Sequence, residues 1–142
     1  MNIEKASFIT AVGAFITALV GEWDGAIITL LLFMAADWIT GLTVAGVFKK
    51  SPKSETGALE SRVGLKGLCR KGAMLLIVII AYRLDIMAGL NGILRTGAII
   101  TLVCNEALSV LENVNLMGVK YPAIVGRVIR QLLGKNEDKD EK

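Results

Sequence analysis

Histidine is absent from the 142 residues, and cysteine and proline occur only twice each. Without histidine the chain lacks the side chain that most often binds metals and transfers protons near neutral pH. Cys69 and Cys104 do not stand at metal-ligand spacing. One lies beside a basic stretch and the other inside an apolar run, so they read as small packing residues rather than a structural disulfide. There is no Gly-rich phosphate loop and no serine nucleophile motif, and Gly13, Gly21 and Gly25 form no dinucleotide fingerprint. The carboxylates are scattered over the apolar runs, the connections and the terminal tail, with no grouping that marks an acid and a base working as a pair. These absences argue against an enzyme, and no cofactor or metal is expected.

Long apolar runs are what the chain does have. Hydrophobic residues make up 54% of it and the mean hydropathy is +0.59, which places most of its mass in lipid. The runs are residues 6–21, 25–48, 68–88 and 93–114. Nothing outside them has enough apolar surface to bury a core of its own. The 24 residues Gly25–Phe48 carry a single charge, Asp37, and as a helix they reach about 36 Å, enough to cross a hydrocarbon layer of about 30 Å. The first run follows Lys5, but Glu4 balances that charge and further spans follow, so it reads as part of the membrane domain rather than a signal peptide.

Charge sets the expected topology. Residues 49–71 hold seven cations, Lys49, Lys50, Lys53, Arg62, Lys66, Arg70 and Lys71, against Glu55 and Glu60. Short Lys- and Arg-rich connections remain in the cytoplasm, so 49–67 is expected to be a cytoplasmic loop and the C-terminus cytoplasmic as well. The connection with Glu22 and Asp24 has no cation and suits the outer side. Two arrangements stay open: four spans with both termini inside, or three spans and an interfacial N-terminal helix. Breakers stand at Ser51–Gly57, at Gly89, Asn91 and Gly92, and at Gly118 and Pro122. The basic loop has no aromatic residue to stack on bases, so no nucleic acid is expected. Residues 1–118 thus form the helical membrane domain. Residues 119–134 follow as an amphipathic helix with Arg127 and Arg130 facing anionic lipid, and 135–142 as a disordered charged tail. The fold class is an all-α membrane protein with three to four transmembrane helices plus that C-terminal helix.

Polar groups at membrane depth are the candidate functional residues. A carboxylate at mid-bilayer costs roughly 2.5–3.5 kcal/mol, so it must face protein or water. Asp37 shares a helical face with Gly41 and Ala45, and Thr40 adds a hydroxyl nearby, an association surface of the small-residue kind. In the last run Arg95, Ala98, Leu102, Asn105, Ser109 and Glu112 follow one another at intervals of 3 and 4 residues, which is one helical face, widened by Glu106 and Asn113. Both surfaces serve either to hold helices together or to line a pore. Arg83 and Asp85, at the end of the third run, read as depth anchors. An ion pair between Asp37 and Arg83 or Arg95 depends on a helix order that spacing does not fix.

The ordered series of these residues resembles the bacteriophage holin family, which includes phage lysis holins and clostridial toxin-secretion holins. The likeness runs from Trp23 to Leu133. It rests on DWITG at Asp37, Thr40 and Gly41, on the spacing of Ser61, Gly64, Gly67 and Lys71, and on Asp85 and Arg95. The segment NEALSVLEN with Asn105, Glu106, Leu108, Ser109, Glu112 and Asn113 adds most, and the Gly118 and Pro122 turn before a basic amphipathic helix completes it. The chain departs from the family pattern in a longer stretch from Lys49 to Glu60 and in Lys120, where proline is common. The resemblance implies a homo-oligomer in the lipid of the bacterial cytoplasmic (inner) membrane. It would open lesions that let an endolysin, or a large toxin, leave the cell without needing to touch it. The rival classes are a small transport or channel subunit with steady conduction, and a membrane anchor for a soluble partner.

Overall fold

In the computed structural model, which describes residues 3–134, the chain forms five α-helices: α1 Ile3–Val20, α2 Gly25–Thr43, α3 Ser61–Ala88, α4 Ile93–Leu116 and α5 Ala123–Leu132. α2 continues into a π-helical turn, Val44–Phe48. No strand occurs among the described residues. The terminal segment 135–142, expected to be a disordered tail, lies outside them.

Local chemistry sets the boundaries. Gly21 ends α1 at φ +84°, and a Cβ there would lie 2.9 Å from the Tyr82 ring, so the close approach of α1 to α3 requires glycine. Asp24 opens α2 by accepting the Ile27 N–H at 3.0 Å. At the end of α3, Gly89 adopts φ +66° and the Leu90 N–H donates to the Asp85 carbonyl at 3.0 Å. The Asp85 carboxylate then accepts the N–H groups of Leu94 (3.0 Å) and Arg95 (2.8 Å). The last turn of one helix therefore caps the first turn of the next, and the tight hairpin expected at Gly89, Asn91 and Gly92 is fixed by a carboxylate.

α4 packs between α2 and α3, and α1 rests against α3. Their shared core is small: Ile27, Leu30 and Met34 from α2, Val78 from α3, and Ile99 and Leu102 from α4. Large apolar side chains instead cover the outside, with Phe8 and Phe15 on α1, Leu32 and Ile39 on α2, Leu76 and Ile80 on α3, and Ile93 and Ile100 on α4 all exposed. Asp37, Asp85, Arg95, Glu106 and Asn113 are buried. An apolar exterior around ionic groups inverts the arrangement of a water-soluble domain and matches a hydrocarbon solvent.

Two helices, Gly25–Phe48 and Ile93–Leu116, are long and apolar enough to cross a bilayer. α3 does not join them by composition, because Arg62, Lys66, Arg70 and Lys71 in its first half and Arg83 and Asp85 near its end leave too short a stretch with few charges. It begins at Ser61, where a helix is expected to resume after the breaker at Ser51–Gly57, so residues 61–67 of the basic segment form its first two turns. α5 spans Ala123–Leu132 within the expected 119–134 segment, its start set by Pro122.

Candidate functional site

Three polar helix faces converge on one cleft of about 440 Å³, bounded by the later half of α2, the 51–60 connection, the first half of α3 and the second half of α4. Its floor is ionic. Lys71 of α3 donates to Asp37 Oδ2 of α2 at 2.8 Å and to Glu106 Oε2 of α4. The three side chains are only 12, 11 and 5% exposed, so one ammonium holds two desolvated carboxylates. Asn113 of α4 donates to Asp37 Oδ1 at 3.2 Å and to Thr40 Oγ1 at 3.0 Å. The Thr40 hydroxyl spends its own proton on the Ala36 carbonyl at 2.8 Å, leaving its oxygen free to accept. Gly41 faces α4, where a Cβ would make ordinary contact with Asn113 Nδ2 at 3.7 Å. Ala45 one turn on is buried. Each side chain of this floor therefore has a partner on a different helix, as ionic and amide groups withdrawn from water require.

A second ionic node sits at the other end of the bundle. Arg95, 6% exposed, donates from Nε to the Val20 carbonyl at 2.8 Å and from one terminal nitrogen to the Glu22 carbonyl at 2.8 Å. Its other terminal nitrogen reaches Asp24 Oδ2 at 2.6 Å. Together with the Asp85 cap, this ties the α1–α2 connection, the end of α3 and the start of α4 at one point. The Arg95 guanidinium is the main reason that the Asp24 carboxyl lies below the usual carboxylate range, with the Ile27 N–H second.

The bacteriophage holin family model matches residues 14–134, most of the chain and all of both nodes. The chain belongs to the bacteriophage holin family. A probable holin of Bacillus phage phi105 is 34% identical over 113 residues, which cover 80% of this chain and 78% of that protein. An uncharacterized protein of Listeria innocua is 34% identical over 134 residues, covering 94% and 90%. One of Clostridium perfringens, described as a 14.9 kDa protein in the nagH 3′ region, is 34% identical over 129 residues, covering 89% and 91%. No solved structure matches the chain. Membership makes it a holin-type membrane protein.

On this holin-family scaffold the residues singled out by spacing separate into two groups. Asp37, Gly41, Ala45, Asn105, Glu106, Ser109, Glu112 and Asn113 line the cleft, and Thr40 bonds to Asn113 beside it. Arg95, although on the same face of α4, lies at the opposite end and serves the second node. Neither Arg83 nor Arg95 pairs with Asp37, whose counter-ion is Lys71. Asp85 is no surface anchor: it is 4% exposed and caps α4. Arg83 is exposed on α3, and Arg127 and Arg130 lie on α5. Lys71, which charge marks as part of the basic connection and spacing as part of the family pattern, and Asp24, a charge of the α1–α2 connection, are site residues that the sequence reading does not include. The available signal for Lys71 was its helical spacing from Gly64 and Gly67, which line the same cleft. For Asp24 it was the need of a buried Arg95 for a counter-ion.

Proposed function

We propose that this chain is a working holin. It accumulates in the bacterial cytoplasmic membrane, self-associates and opens lesions through which an endolysin, or a large toxin, leaves the cytoplasm. The observation that carries this reading is the ionic floor Asp37–Lys71–Glu106, buried among three helices beneath an apolar exterior. α2, α3 and α4 cross the membrane with the basic 49–67 segment inside, which leaves the C-terminus cytoplasmic. α5 then lies along the inner surface, with Ile124, Val128 and Leu132 in the acyl boundary and Arg127 and Arg130 among headgroups.

The floor makes opening depend on density. A helix that parts from its neighbours into lipid strands an ionic group, at roughly 2.5–3.5 kcal/mol each. A helix that parts where another protomer presents the same polar face exchanges one partner for another and keeps its hydrogen bonds. Crowded protomers therefore have a path from closed bundles to a ring whose inner wall is the α2 and α4 polar faces, and isolated ones do not. No step of this requires an enzymatic group.

Co-expression with a lysin that needs access to the periplasm tests the reading. Abrupt lysis is expected only when both proteins are present. Asp37→Leu, or Asn105→Leu with Glu106→Leu, is expected to shift or abolish lysis at equal membrane abundance. Steady ion conduction with no release of a folded cytoplasmic reporter would instead make the chain a channel subunit and defeat the proposal.

A further inference from the structure

The two walls of the cleft above its floor carry opposite charge. Lys66 and Arg70 stand on the α3 wall, and Glu112 on the α4 wall with the Asn105 amide and Ser109 hydroxyl, while the 51–60 connection adds Lys53 and Glu60, whose charges cancel and leave the α3 side net positive. Opposite charges facing one small space in a protein normally meet. Here they do not: among the described residues the ion pairs are Lys71 with Asp37 and Glu106, and Arg95 with Asp24. The α3 wall is set back where Gly64 and Gly67 line it, and a Cβ on either glycine would meet nothing within 4 Å. Trp38 and Leu42 of α2 supply an apolar side. The space is thus bipolar, open, and of the size of small-ligand pockets.

We infer that this cleft binds the headgroup of a zwitterionic phospholipid bearing a primary amine, with the phosphate toward Lys66 and Arg70 and the ammonium toward Glu112. Phosphoethanolamine has both groups. Its ammonium also gains from the floor, where two carboxylates share one lysine and leave negative charge in excess on the α2 and α4 side. A purely anionic headgroup satisfies only the α3 wall. A quaternary ammonium offers no N–H to Glu112, Asn105 or Ser109. The acyl chains would leave along the apolar side past Trp38 and Leu42. The inference rests on the membrane placement proposed above, which sets the first turns of α3 at the level of the cytoplasmic headgroups.

The test uses the full chain in delipidated detergent micelles, titrated with phosphatidylethanolamine, phosphatidylcholine or phosphatidylglycerol. Trp38 fluorescence is the readout, in a Trp23→Phe background. Phosphatidylethanolamine is expected to bind about tenfold more tightly than either of the others, the worth of a charge-assisted hydrogen bond. Glu112→Gln is expected to erase that preference while phosphatidylglycerol binding persists. Lys66→Gln with Arg70→Gln is expected to weaken all three lipids about tenfold. Equal affinities in the unaltered protein, a preference for phosphatidylglycerol, or a phosphatidylethanolamine preference that survives Glu112→Gln would each overturn the inference. Failure here with lysis intact removes the lipid site alone; loss of lysin release with headgroup selectivity intact removes the lesion-forming reading alone.

Discussion

Replacing Lys71 should damage this protein far more than replacing either carboxylate it holds. Its Nζ lies 2.8 Å from Asp37 Oδ2 and also bonds Glu106, with all three side chains 12% exposed or less. Lys71→Met leaves two carboxylates facing each other in a water-poor interior. Breaking a buried pair from one side costs about 3–5 kcal/mol, and here one substitution orphans two partners. Asp37→Asn leaves a neutral Lys71–Glu106 pair and keeps an acceptor for Asn113, so about 1 kcal/mol is the expected loss. Glu106→Gln similarly leaves Lys71 with Asp37. If the damage from Lys71→Met is electrostatic, then adding Asp37→Asn and Glu106→Gln should restore most of the stability, because an uncharged floor has nothing left to strand. Reversible unfolding in mixed micelles by SDS titration, followed by tryptophan fluorescence and circular dichroism, measures all five proteins. A Lys71→Met variant as stable as Asp37→Asn, or a triple variant no more stable than Lys71→Met, would refute the argument.

At the second node, Arg95→Met removes the donor to the Val20 and Glu22 carbonyls and leaves Asp24, whose side chain is 41% exposed, to solvent, and a loss of about 1–2 kcal/mol is expected in the same titration. The Asp24 carboxyl lies below its ordinary range when folded, so its contribution is complete above the unfolded value of about 3.9 and falls as pH drops through the lower folded value. The difference in melting temperature between the unaltered protein and Asp24→Asn should accordingly vanish in strong acid and persist at neutral pH. Gly41→Ala meets Asn113 Nδ2 at an ordinary 3.7 Å and should cost under about 1 kcal/mol, whereas Gly41→Leu must push α2 from α4 and should cost about 1–3 kcal/mol. Asp85→Ala removes both acceptors at the start of α4 and should cost about 1–2 kcal/mol, read as faster amide exchange at Leu94 and Arg95.

Much of the candidate site is visible as spacing. Asp37 with Gly41 and Ala45, and Asn105, Ser109 and Glu112 with Glu106 and Asn113, fall on single helical faces whatever the helices pack against, and all of them line the cleft. The same reasoning fails at Arg95, which shares their face yet lies about three turns away. Helical periodicity reports the direction of a side chain and not its depth along the bundle. Asp85 shows a different limit: a carboxylate at a helix end reads as a surface residue until the next helix is seen to begin within its reach.

Composition and periodicity alone determined the apolar helices, the breaks between them, and the presence of ionic groups at depths where they must be paired, since each follows from chain geometry and the cost of polar groups in hydrocarbon. Only the tertiary structure decided which groups pair. Lys71 finds Asp37 and Glu106 across separations of 34 and 35 residues, and Arg95 finds Asp24 across 71. Such choices depend on the order in which helices pack, and local sequence carries no term for that order.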